Sequence, residues 1–327
     1  MGQILVGLLD CTTGVLNTGA TICPFDPKNF EGVIAVPTGT IFTKAQILDF
    51  QNTLIGMIEA DDPADRAYPI QRFDGMENIS SEATYRDRPY GQRYKVRDGQ
   101  YGFKFMYTEG GMGLHSKLKS FEGKHDQYDY IIVDRKNRGF MGWTSDGVNF
   151  RPFTLSMFDV HNVTFDDGTN GTEYAVSLFL DDADQINKYA RLLQMPVGVD
   201  VIRDFKGLYD IEPIVYSETM SSLGVATFRF TIGGGTTDLY ADYSAILADK
   251  DNWTAKNKET GAAITITTGS AAVTAGVGLI TLDLDSADSD FPATAGDLIE
   301  LTLGPTSTLK TEGMVGFAGV TFDVERA

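Results

Sequence analysis

The sequence predicts a mainly β protein, a β-rich α+β fold in two domains. Three observations carry that prediction. Apolar and polar residues alternate over most of 99–180 and again in short runs after Val225, which is the period of strands with one buried face. The 35 glycines, with frequent Thr, Asp and Asn, supply the turns such strands need. At 327 residues and 42 % hydrophobic the chain can fill two cores. Its composition shifts toward Thr, Ala and Gly near Val215, so the expected domains are 1–207 and 208–327.

Residues 1–42 read as extended and turn-rich, with Pro24, Pro27 and Pro37 punctuating apolar runs such as 32–36. They are either an arm packed on a neighbour or a first hairpin of the core. The apolar run 3–9 is short, has no Lys or Arg before it and closes at Asp10, unlike a secretion signal. Asp10 before Cys11 spoils a lipoprotein site, and Val6 stands where myristoylation needs Ser or Thr. No run is long enough to span a bilayer, so no membrane insertion is expected. Cys11 and Cys23 are the only cysteines, too few for a disulfide framework or zinc knuckle, as suits cytosolic synthesis.

Thr43 and Gln46 form a capping box. Ile47, Phe50, Leu54, Ile55 and Ile58 then recur at helical spacing, ended by Asp61, Asp62 and Pro63. Segment 74–99 is polar and poorly periodic, and reads as a long loop that reaches a neighbouring subunit. Strands are expected over 101–107, 128–133, 140–143, 153–165 and 172–180, with a turn at Asp166, Asp167 and Gly168. Asp182 should cap a helix to Leu193, with Ile186, Tyr189, Ala190 and Leu193 on one face, stopped by Met195 and Pro196. In the second domain a strand at 225–232 ends at Gly233–Gly235. A helix follows at 237–248, with Leu239, Tyr243, Ile246 and Leu247 inward. Strands follow at 264–266, 279–284, 298–303 and 320–324. About 110 residues of short strands suggest an Ig-like β-sandwich, here without the Cys and Trp markers of antibody domains.

Charge is divided unevenly. The chain carries −18 overall, yet 86–151 holds 13 of its 27 Lys and Arg against 8 acids. Such a surface can be self-complementary between copies, setting orientation and register. The acidic total argues against a general nucleic-acid binder, though not against a surface past which DNA slides. Around the start of 86–151, Tyr85, Tyr90, Tyr94, Tyr101 and Tyr107 lie among Arg86, Arg88, Arg93, Lys95, Arg97 and Lys104. Aromatic and basic interleaving binds single strands of nucleic acid or marks a protein interface. The acidic chain favours the interface.

No motif for catalysis competes with that reading. Gly111-Met-Gly113 lacks a third glycine at Ser116, and Gly123-Lys124-His125 lacks the Ser or Thr of a phosphate-binding loop; a glycine-rich flexible loop is the alternative. Asp283, Asp285, Asp288 and Asp290 are dense enough in oxygen to suggest calcium, but their spacing is not that of an EF-hand, and an exposed acidic turn accounts for them. His115, His125 and His161 are the only histidines; neither a zinc-protease helix motif nor a nucleophile elbow occurs. No cofactor and no enzymatic activity are expected.

The layout, a β-rich domain with a helix on its sheet, a long projecting loop and a C-terminal Ig-like domain, resembles tail tube proteins of tailed bacteriophages. The strand 101–107, the run 114–121 and the hairpin 128–143 are similar to structural proteins of phages infecting Bacteroidetes. The block 233–253, with Asp238-Leu239-Tyr240 and Leu247-Ala248-Asp249, is similar to a module recurring in those virion proteins. The resemblance implies a virion component made in the host cytoplasm. It implies homo-oligomeric, hexameric rings stacked into a tube, other tail proteins as partners, and DNA passing without capture. Tail-ring and head-decoration proteins share the same parts. A carbohydrate-binding surface protein and a glycan hydrolase are the readings from other classes.

Overall fold

The computed structural model describes residues 29–71, 73–108, 110–135, 138–165, 171–194, 204–215, 220–233 and 235–327. Cys11, Cys23, most of the expected N-terminal arm, the turn at 166–168 and the stop at Met195 and Pro196 lie outside the described residues. The fold is mainly β, built of several antiparallel sheets. The chain divides into two compact units, Met1–Ile58 with Ala64–Gly207, and Glu59–Pro63 with Leu208–Ala327.

The first unit opens with β1 (Phe30–Pro37), which belongs to the core rather than to an arm: it pairs antiparallel with β2 (Tyr68–Gln71) and with β7 (Tyr128–Asp134). Between β1 and β2, Thr43 closes the capping box with Gln46 and starts α1 (Lys44–Leu48); Asp49 breaks it from α2 (Phe50–Ile58). Ile47, Phe50, Leu54 and Ile58 are buried, as the helical spacing requires. Strands β3 (Gly75–Asn78), β4 (Thr84–Asp87), β5 (Arg93–Arg97) and β6 (Gly102–Tyr107) come next, then α3 (Gly111–Lys119) before β7. After β7 come β8 (Arg138–Trp143), β9 (Phe150–Arg151), β10 (Phe153–Val160), β11 (Tyr174–Leu180), α4 (Asp184–Asn187) and β12 (Ala190–Gln194).

These strands, β4 and β5 excepted, form one ten-stranded sheet in the order β12-β8-β7-β10-β11-β6-β3, with β1 and β2 beyond β7 and β9 on β8. It splits at β7, which pairs with β8 through Ile132–Asp134 and with the first residues of β10 through Asp129 and Tyr130. The two wings share one core. Phe30 from one wing meets Phe103 of the other edge-on at 5.6 Å, and Tyr130 stacks with Phe158 at 5.6 Å.

Two expectations fail here. The helix expected over 182–193 is one turn, α4, followed by strand β12 on the edge of β8, with Ala190 opposite Gly142 and Gln194 opposite Arg138. Alanine and leucine are good helix formers, but propensity differences are under about 1 kcal/mol per residue, and the ladder plus burial of Leu193 outweighs them. The loop expected over 74–99 is instead strands β3, β4 and β5.

The second unit contains β13 (Ile211–Val215), β14 (Val225–Ile232), α5 (Tyr240–Leu247), β15 (Trp253–Asn257), β16 (Ala263–Ile264), β17 (Ile266–Thr274), β18 (Val277–Leu284), β19 (Leu298–Leu303), α6 (Thr306–Thr311) and β20 (Val320–Glu325). Two four-stranded sheets, β13-β14-β18-β17 and β16-β15-β19-β20, share one core. Phe228 and Phe230 of the first sheet pack on Phe322 and Trp253 of the second, Phe230 and Trp253 at 5.7 Å. Trp253 is buried, and its indole N–H donates to Leu247 O at 2.8 Å. The second domain therefore has a buried Trp on its third strand, contrary to the expectation that no such marker is present. Residues 267–274, which show no readable period, extend the strand expected at 264–266.

Candidate assembly interface

The basic stretch does not form one surface. Arg138 is buried with Asp134, Nε to Oδ2 at 2.6 Å, where the strand pair β7–β8 closes. Lys104 of β6 pairs with Glu173, just before β11, at 3.1 Å, and Lys119 pairs with Glu122 at 2.9 Å. The five residues singled out by interleaving, Arg86, Arg88, Arg93, Lys95 and Arg97, are brought together on β4 and β5.

Those two strands form a sheet of their own, and every one of their residues is exposed. They continue the ladder of β3 and β6: beyond Asn78 and Phe103, Ile79 N donates to Gly102 O at 3.0 Å and Ser81 N to Gln100 O at 2.9 Å. Gln100 ties this stem down, its amide donating to Ser156 Oγ at 2.7 Å and Leu180 O at 3.1 Å. A single ribbon thus runs out of the core from β3 and returns into it through β6.

Pro89 and Tyr90 make the ribbon's tip. Gly91 N donates to Arg88 O at 3.2 Å, and Tyr90 takes φ 78°, unusual for a bulky residue. Pro89 fixes its own φ and favours that corner of the turn. Tyr90 is 102 % exposed. Nearer the stem, Thr84 is opposite Arg97 but Tyr85 is opposite Lys95, so Val96 is the extra residue of a bulge, which raises local twist.

The pairing sorts the side chains onto two faces. Tyr85, Asp87, Arg93 and Lys95 share one. Arg86, Arg88 and Tyr94 share the other. Arg93 lies over the Tyr85 ring at 5.8 Å and meets Asp87 at 3.1 Å. Arg88 lies over the Tyr94 ring at 4.7 Å. Lys95 is paired with Asp98, whose hydrogen bond raises the lysine pKa. Among the described residues Arg86, Arg88 and Arg97 meet no carboxylate. Exposed ion pairs contribute about 0–1 kcal/mol each and exposed cation–π contacts about 0.5–1 kcal/mol. A two-stranded ribbon held only by these is marginal in water. Tyr and Arg are also the residues enriched where proteins meet.

The other candidate sites are engaged in structure. Gly110 and Gly111, at φ 82° and 48°, begin α3 rather than a flexible loop. His115 on that helix is buried, with Nδ1 at 3.3 Å from Tyr107 Oη. His161 Nε2 meets Ser177 Oγ at 2.7 Å. In the acidic turn, Asp288 accepts from Asp290 N and Thr265 N at 3.1 Å each, and these bonds lower its pKa. Asp285 accepts from Ala287 N at 3.0 Å. Among the described residues no three metal-ligating side chains converge.

A cleft of about 580 Å³ in the first unit is lined by Trp143, Arg151, Asp181, Gln185 and Tyr189 among others. Its chemistry is internal. The Gln185 amide bonds Thr154 N and O, at 2.7 and 3.0 Å. Trp143 is flanked by Phe150 at 5.0 Å and by the Arg191 guanidinium at 5.4 Å, so its ring is no free platform for a sugar. Among the described residues no helix is long and apolar enough to cross a membrane.

Sequence reasoning missed the hairpin itself. Its signal was present: Pro89-Tyr90-Gly91 is a turn flanked on both sides by bases on alternate residues, Arg86 and Arg88 before it and Arg93, Lys95 and Arg97 after it. No protein-family model matches the chain, and no curated protein matches it.

Proposed function

We propose that this chain is a structural subunit that assembles with copies of itself, and that the hairpin 84–97 is the arm that engages the neighbouring copy. One observation carries the reading. A ribbon anchored in a dry core ends in two strands that are wet on both faces, marginal alone, and loaded with Tyr and Arg. Its chemistry suits a partner surface that is acidic and apolar, and the chain's −18 charge makes a second copy such a partner.

The finer reading is a tail-tube-like protein of a tailed-phage virion, forming hexameric rings stacked into a DNA-conducting tube with other tail proteins at its ends. The split, two-winged sheet with its helices and projecting arm supports it. An Ig-like second domain is supported by strand order. Lettered A, B, C, C′, D, E, F and G in sequence, its sheets read A-B-E-D and C′-C-F-G, an arrangement close to that of immunoglobulin constant domains. Trp253 on strand C strengthens that likeness. The acidic balance supports a lining that repels phosphate and leaves DNA mobile.

The test compares the full chain with the R86E/R88E/R93E variant by sedimentation and negative-stain microscopy. Rings or tubes are expected for the parent. The variant should stay small with an unchanged melting curve. Equal assembly in both would sink the role of the arm. A ring whose lumen is lined mainly by Arg and Lys would sink the conduit.

A further inference from the structure

Among the described residues the second unit has four sheet edges, and three of them are guarded. Edges ordinarily carry charge, proline or short length, because unpaired N–H and C=O groups recruit other strands. Strand β13 has Pro213 and Glu212, β16 has two residues, and β20 carries Asp323 and Glu325. The fourth, β17, has none of these. It runs nine residues, Ile-Thr-Thr-Gly-Ser-Ala-Ala-Val-Thr, without charge or proline. Its bulge lies at the start, between Ile266 and Thr268, and its pairing with β18 is regular from Thr268 to Thr274. All but Ile266 and Gly269 are exposed, Val273 by 62 %. Among the described residues no strand pairs with its outer side.

The turn that joins β17 to β18 identifies the unpaired groups. Ala275 and Gly276 both have positive φ, 51° and 81°, as in a two-residue primed turn. Thr274 and Val277 are then the first hydrogen-bonded pair, and pairing alternates from there. Thr268, Ser270, Ala272 and Thr274 direct their backbone groups at β18. Gly269, Ala271 and Val273 direct theirs outward.

We propose that this edge docks on the same strand of a second copy, antiparallel about a two-fold axis with Ala271 opposite Ala271. In that register Gly269 faces Val273 of the other copy at both ends. Each outward N–H and C=O finds a partner, two hydrogen bonds at each opposed pair. Thr268 comes opposite Thr274, a favourable cross-strand pair, and Ser270 comes opposite Ala272. No charge opposes another anywhere along the strand, in a chain that elsewhere carries a large excess of acid and so repels its copies. The basic arm 84–97 finds no carboxylate on β17 and is not its occupant. This contact is separate from the one proposed for the arm.

The test uses the full chain carrying R86E/R88E/R93E, so that assembly through the arm is weakened. This protein should form a dimer. Ala271→Pro removes only an outward N–H and leaves the ladder to β18, so it should weaken the dimer at least 100-fold in sedimentation equilibrium. Val273→Lys, which keeps every backbone group and adds like charge, should weaken it as well. A second readout holds whether or not the arm works. With Cys11 and Cys23 changed to Ser, Ala271→Cys should cross-link copies on mild oxidation, its Cα atoms being about 5.5 Å apart in such a pair. Ala275→Cys should not, because its Cα atoms would stand roughly 26 Å apart. Self-association unchanged by Ala271→Pro and Val273→Lys, or equal cross-linking at 271 and 275, would overturn the proposal. So would an arm variant that is monomeric at every concentration with no cross-link at 271.

Discussion

The ribbon that runs from β3 to β6 is dry at one end and wet at the other, although both ends carry aromatic side chains. At the dry end Phe103, Phe105 and Tyr107 lie against Phe30, Phe73 and Tyr174, Phe105 stacking on Phe73 at 4.6 Å. At the wet end Tyr85 and Tyr94 lie against Arg93 and Arg88 in solvent. The difference is the layer beyond. Strand β6 has β11 beside it and a second wing above it, whereas among the described residues β4 and β5 pair only with each other. One ribbon is therefore a core strand in one place and an arm in the other, and stability and association should separate along it.

The largest effect should come from Phe105→Ala. Phe105 is fully buried, so its truncation should cost about 3–5 kcal/mol, read from urea unfolding of the full chain. Tyr94→Ala should cost less than about 1 kcal/mol yet slow self-association. Equal losses of stability would mean that the wet end is packed by its own chain, and the contrast would fail.

Two glycines sharpen the boundary. A Cβ on Gly99 would stand 2.1 Å from the Ser81 carbonyl oxygen, and backbone cannot yield as a flexible side chain does. Gly99→Ala should cost on the order of 1–3 kcal/mol. Gly91 at the tip has φ 78° but open space around it, so Gly91→Ala should cost only about 1–2 kcal/mol of backbone strain. A harmless Gly99→Ala would mean that the stem is looser than its hydrogen bonds suggest.

Alkaline pH tests the dry end alone. Burial raises the Tyr107 pKa to about 12 and pushes Tyr130 further up, whereas a tyrosine in the unfolded chain ionises near ~10. Between those values the unfolded chain has lost protons that the folded chain keeps. Stability from this source is full below pH ~10 and falls as pH rises toward 12. The melting temperature should drop across that window, and Tyr107→Phe should shrink the drop. An unchanged profile in that variant would place water beside the phenol.

The smallest effect should be Arg88→Ala, about 0.5 kcal/mol from its contact with the Tyr94 ring, read as a slight shift in the unfolding midpoint. A loss several times larger would mean that the arm is held by more than its own pair of strands.

How much of this was legible in the sequence depended on whether a residue's state is set nearby or far away. The Thr43–Gln46 box, the faces of α1 and α2, and strands β6, β7 and β14 are local and were readable. Strand β12 was not, because its Ala, Arg and Leu residues suit a helix and only the free edge of β8 makes them a strand. Strand β17 was not, because Thr, Gly, Ser and Ala present no hydrophobic period; β18 and the turn at Ala275 and Gly276 impose it. Trp253 could be seen, but its place on the third strand of a sandwich required the sheets to be known. For the site, the clustering of Arg86, Arg88, Arg93, Lys95 and Arg97 was legible. That Lys104 is engaged with a carboxylate was not, since Glu173 is far from it in sequence.

The bulge at Val96 has a geometric consequence for an assembling subunit. It changes no cross-strand partner: deleting Val96 would still leave Thr84 opposite Arg97 and Tyr85 opposite Lys95. What it sets is a direction, the angle at which the tip leaves the stem. In a head-to-tail array that angle repeats at every joint, and its multiples decide whether the last subunit meets the first or misses it and spirals on. For the proposed arm, a chain lacking Val96 should bind its neighbour with the same side chains and yet fail to close, giving open helical filaments in place of rings under the microscope.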